Sequence, residues 1–141
     1  MANGITLIEV LIVLAIMSIV FSLGVPLTIN HYESYLLISE RDNLLGFLRR
    51  ARTLALSNRN SLPHGVYIEG NEYAIFEGQS FSSRNSSLDE VFPKSQSINV
   101  TGSGEIIFSS LSATTAPVTL TLSNNNQNLN IQINAEGGIS W

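Results

Sequence analysis

Residues 5–29 read ITLIEVLIVLAIMSIVFSLGVPLTI, and no charged side chain occurs between Val10 and Ile29. A helix rises about 1.5 Å per residue, so roughly 20 apolar residues span a bilayer core. This stretch is long enough. A cleaved secretory signal is the competing reading, and it calls for a basic segment ahead of a shorter apolar core and a small-residue cleavage site behind it. No Lys or Arg precedes this run, and no such site follows it. The apolar residues pass directly into a helical pattern, so residues 5–29 read as a retained transmembrane half-helix. Gly24 and Pro26 interrupt it, and proline removes an i→i−4 bond, so a bend or local melting is expected there.

After Asn30 the chain turns polar but keeps the helical period. Leu44, Leu48, Ala51 and Ala55 follow one face, widened by Leu37, Leu45, Phe47 and Leu54. The pattern fades at Ser57-Asn58, and Asn60-Ser61-Leu62-Pro63 reads as the stop. One helix of about 50 residues, near 75 Å by its rise, is therefore expected from Ile5 to about Ser57. Its first half is apolar all round. Its second half, residues 30–58, has one face to cover.

Residues 59–141 carry the cover. His64–Glu69 and Glu72–Glu77 flank Gly70-Asn71, a two-residue hairpin signal. Residues 79–85 form a Ser-rich loop, and further strands are expected at 97–101, 105–109, 117–123 and 128–135. The last two alternate, with Val118, Leu120 and Leu122 answered by Leu129, Ile131 and Ile133 across an Asn-rich turn at Asn124-Asn125-Asn126. Alternation marks an antiparallel sheet with one buried face, whose natural partner is the helix stripe. The fold class is α+β, a long N-terminal helix on an antiparallel β-sheet head. At 141 residues there is room for one globular unit. The net charge of −4 gives no general reason to expect a nucleic-acid partner, and the absence of cysteine excludes disulfides and thiolate metal sites.

Glu9 is the anomaly in the apolar half. A carboxylate in hydrocarbon costs on the order of a few kcal/mol and usually marks function, unless it sits near the membrane end and snorkels to water. Its context is Gly4-Ile5-Thr6-Leu7-Ile8-Glu9, which resembles the processing motif of type IV prepilins. The resemblance implies a leader of residues 1–4, cleavage after Gly4 by prepilin peptidase, and methylation of the new N-terminus at Ile5. It further implies that Glu9 meets the N-terminal amine of a neighbouring subunit during assembly, and that Pro26 marks helix loosening within a filament. An ion pair in low dielectric suits that role, because an unpaired charge there is costly and the pair sets the register. Two departures stand out: Ile5 replaces the usual Phe, and the leader Met1-Ala2-Asn3 lacks a basic residue.

Leu48-Arg49-Arg50-Ala51-Arg52-Thr53-Leu54-Ala55-Leu56-Ser57-Asn58 also resembles the signature of the GspH/FimT-like minor pilins and pseudopilins. The implied partners are other copies and other pilins in a helical filament, membrane lipid before assembly, and the pilus assembly machinery. The implied location is the cytoplasmic membrane and then an extracellular pilus or pseudopilus. No cofactor is implied. DNA is a less favoured partner. Arg49, Arg50, Arg52 and Arg59 form the basic cluster, which reads either as dipole complementation and intersubunit salt bridges or as a DNA contact. In DNA-binding relatives a basic patch lies near the C-terminus, whereas residues 135–141 here contain no Lys or Arg. A membrane-anchored enzyme is the remaining rival. His31 and His64 are the side chains able to act as bases near neutral pH, and neither sits in a recognisable motif; Thr101-Gly102-Ser103-Gly104 is too weak to imply phosphate binding.

Overall fold

Thr6 opens the helix that organises the molecule: its extended backbone and side-chain oxygen make it the N-cap of α1, Leu7–Leu56. The computed structural model describes residues 4–125 and 127–141, except for the side chains of 23–31. Residues 1–3 of the leader, Asn126 and the side chains of Pro26 and His31 lie outside the described residues. So do the side chains of the last part of the expected membrane span, but its backbone stays helical through Gly24 and Pro26, so the local melting expected there is not found. Among the described residues no helix is long and apolar enough to cross a membrane.

α1 stops where the sequence supplies left-handed backbone. Ser57 closes the last turn with its N–H on the Thr53 carbonyl, and Asn58 then takes φ 52°. A 3-10 turn at Arg59–Ser61 carries the chain into β1, His64–Glu69. β2, Glu72–Glu77, pairs with it in the expected register, from Glu69 opposite Glu72 to His64 opposite Glu77. Gly70 at φ +52° makes the tight turn possible.

The head is antiparallel throughout, but it is two sheets rather than one. β3, Glu90–Pro93, and β5, Glu105–Phe108, flank the hairpin in the order β3-β2-β1-β5. The second sheet runs β4-β6-β7-β8, from Asn99–Thr101, Val118–Ser123 and Asn128–Ile133 to Ile139–Ser140. β3 and β8 were not expected, and the strand expected at 97–101 begins only at Asn99. The chain crosses between sheets at Gly102, whose φ of +126° and 2.5 Å from an added Cβ to the Thr119 carbonyl oxygen leave no room for a side chain.

Both sheets send their apolar residues to α1. Leu37, Leu44, Leu48, Ala51 and Ala55 are fully buried, against Val66, Ile75, Ile106 and Phe108 of one sheet and Leu120, Leu122, Ile131 and Ile133 of the other. The buried face of the helix is thus the stripe that the spacing of the sequence marks. Phe47 extends it by stacking on Phe92 of β3 at 4.3 Å.

Candidate assembly site

The first four turns of α1, Leu7–Ser22, present a largely apolar surface to solvent on every side. Leu7 is 81% exposed, Phe21 is 69%, and the large apolar side chains between them are all exposed. Glu9 is exposed among them, the carboxylate of the first turn. Its backbone N–H donates to Thr6 Oγ1 at 3.4 Å and to the Thr6 carbonyl oxygen at 3.1 Å. Thr6-Leu7-Ile8-Glu9 therefore has the spacing of a capping box, a signal readable in the sequence and passed over there. The arrangement fixes where the helix starts, and Ile5 lies just outside it in non-helical backbone.

The four arginines of the basic cluster do not act together. Arg50 pairs with Glu90 of β3 at 2.7 Å. The Arg49 guanidinium lies over the Trp141 ring, 4.5 Å from its centroid. Arg52 has its Nε buried without a hydrogen-bond partner. Arg59 lies beyond the helix, in the 3-10 turn, and none of the four falls in the last turn of α1. Complementation of the helix dipole, which acts within the terminal turn, is therefore not the role of these residues. What two of them share is a cleft of about 420 Å³, lined by Arg49, Arg52, Thr53 and the Gly137–Ile139 turn. Gly137 brings that turn against the Ala113 carbonyl at φ +72°, an approach that an added Cβ would block.

Two polar contacts were missed in the sequence, one between the helix and the head and one within the head. Glu40, on the buried side of α1, accepts from Tyr73 Oη at 2.9 Å and from the Ser95 backbone N–H at 3.1 Å. Burial and then the neighbouring Glu40 charge raise the Tyr73 pKa, so the phenol remains a donor. His64 is buried with its Nδ1 3.1 Å from the Leu62 carbonyl oxygen and its Nε2 3.5 Å from Glu77, which also accepts from Asn60 at 2.7 Å. Burial is the main cause that lowers the His64 pKa below 6.5. The first joins residues far apart in the chain, and no local pattern announces it; the second lies across the β1–β2 hairpin, whose register sets His64 opposite Glu77. Among the described residues, no group of three or more His, Asp or Glu is placed to hold a metal ion.

Residues 1–25 match the family model of the prokaryotic N-terminal methylation motif. That match supports a likeness to type IV pilins and pseudopilins over the N-terminal segment. The matched residues include Gly4, Ile5 and Glu9 but stop well before Leu48–Asn58, so the GspH/FimT-like subfamily is not shown. No curated protein and no solved structure matches the chain.

Proposed function

We propose that this chain is a structural subunit of a type IV pilus or pseudopilus filament. The observation that carries the reading is the described lower part of α1, Leu7–Ser22, an apolar rod with a single carboxylate in its first turn and no cover from the head. A surface of that kind needs lipid or other helices around it. In this reading residues 5–29 sit in the cytoplasmic membrane until assembly, when the rods of successive copies pack together and leave the bilayer. Prepilin peptidase cuts after Gly4 and Ile5 is methylated, and Glu9 takes the N-terminal amine of a neighbouring copy. Pro26 loosens the helix as the rods pack, and the pilus machinery drives the extension. The division into leader 1–4, rod 5–29, stalk 30–58 and head 59–141 follows from the same reading.

Intact mass spectrometry of sheared surface filaments tests it. The expected species starts at a methylated Ile5, and a filament whose subunits retain Met1–Gly4 would overturn the processing step. DNA uptake is the weaker reading. Its support shrinks once Arg50 is engaged by Glu90, which leaves Arg49 and Arg52 in one cleft and Arg59 apart. A salt-dependent shift of duplex DNA by the head would revive it.

A further inference from the structure

We propose that the Arg49–Arg52 cleft receives the acidic β1–β2 hairpin tip of a second copy, so that heads stack end to end along the helix axis. The inference rests on the filament reading and deepens it by naming the surfaces that meet.

The cleft needs an acidic occupant. Of the 7 Lys and Arg residues, Arg41, Arg50 and Arg84 have carboxylate partners in their own chain, the Lys94 ammonium donates to the Ile98 carbonyl oxygen, and Arg59, with no carboxylate within 4 Å among the described residues, lies in the 3-10 turn outside the cleft. Arg49 and Arg52 have no carboxylate within 4 Å among the described residues, although Glu136 stands in the adjoining turn, and Arg52 Nε is buried with nothing to donate to. The two guanidiniums bring positive charge to the open cleft, where an incoming carboxylate would gain charge-assisted hydrogen bonds.

The chain supplies a matching knob. Glu69-Gly70-Asn71-Glu72 is exposed throughout, at the tip of the hairpin. Glu72 has no cationic partner among the described residues, and Glu69 accepts only the Tyr67 hydroxyl, at 2.9 Å. A two-residue turn carrying a carboxylate on each side is narrow, rigid and doubly negative.

Their positions prevent the two surfaces from meeting within one molecule. β1 leaves the end of the helix, where His64 lies beside Asn60 and Leu62, and runs back to the level of Glu40, which Tyr73 reaches from β2. The tip lies just beyond that level, because Asn71 accepts from the Lys94 backbone and Ser95 donates to Glu40. Glu40 and Arg52 are twelve positions apart on α1, so knob and cleft are offset by about 18 Å along the axis. Complementary patches at opposite ends of one head make a head-to-tail contact, which repeats into an open array instead of closing as a dimer.

Charge reversal in the full-length chain, expressed as the sole copy, tests the pairing. Arg52→Glu and the double reversal Glu69→Arg with Glu72→Arg should each lower the sheared-filament fraction at least tenfold at normal membrane levels. Combining all three should restore at least half of it. The chain has no cysteine, so Asn71→Cys with Thr53→Cys should give a ladder of crosslinked multimers in filaments that neither single variant gives. Reversals that leave filament yield unchanged, or a combination no better than either parent, would overturn the pairing while the filament reading stands. Loss with Arg52→Glu alone would also overturn it, because the cleft would then serve another anion. Absence of the wild-type chain from filaments would overturn both.

Discussion

The two halves of one helix make opposite demands. Above Leu37 the helix has one buried stripe and a polar remainder, and two sheets close over the stripe. Below Phe21 every described face is apolar and none is covered by the chain itself. The upper half is stabilised within the monomer, by burial of apolar area and by the Glu40–Tyr73 contact. The lower half acquires its environment only from lipid or neighbours. Folding of the head thus rests on the upper turns alone, and substitutions in the lower half should leave the stability of the head untouched.

The largest expected effect separates them at the lower end. Glu9→Ala removes the carboxylate proposed to meet a neighbour's amine, and breaking such a buried pair costs about 3–5 kcal/mol. Incorporation into sheared filaments should fall about a hundredfold or more, while membrane level and head stability remain at wild-type values. Equal incorporation of the variant as sole copy would make Glu9 an incidental carboxylate and remove the functional half of the contrast.

The upper half breaks at Leu48, which is fully buried between the sheets. In a fragment starting at Tyr32, Leu48→Ala should cost about 2–5 kcal/mol in urea unfolding. The parent fragment should be a soluble monomer that unfolds cooperatively, since stripe and sheets cover each other. Aggregation of the parent would show that the upper half is not self-sufficient.

A smaller effect is expected at the polar tie. Tyr73→Phe leaves the buried Glu40 with the Ser95 N–H as its described donor, and should destabilise the same fragment by about 1–3 kcal/mol. A double-mutant cycle with Glu40→Gln would show coupling if the contact holds helix to sheet, and additivity would argue against it.

The smallest effect is a pH slope. The folded state holds the His64 pKa below 6.5, chiefly through burial, so the native protein favours the neutral ring. Unfolding then takes up a proton in the window between the folded pKa and 6.5. The stability that the neutral ring contributes is complete above that window and is lost as pH falls through it. His64→Gln should flatten the decline in melting temperature between about pH 7 and pH 5.5, above the range where ordinary carboxylates titrate. An identical slope in both proteins would assign the decline to other groups.

Periodicity determined the long helix, its change of character near Asn30 and the buried stripe, because each is a repeating local pattern that one face must satisfy, and the Gly70-Asn71 turn determined the β1–β2 register. The prepilin-like motif was equally legible, since Gly4 to Glu9 are contiguous in the chain and fall within the matched residues 1–25. Only the tertiary structure decided the division into two sheets, because strand order depends on partners that a strand cannot specify by itself. β3 and β8, of four residues and two, are too short to show alternation and exist through β2 and β7. The fates of Arg49, Arg50 and Arg52 likewise waited on the fold. In sequence they are one basic run, but successive helix positions point about 100° apart, so one meets Glu90, one meets Trp141, and one is left with a donor unsatisfied.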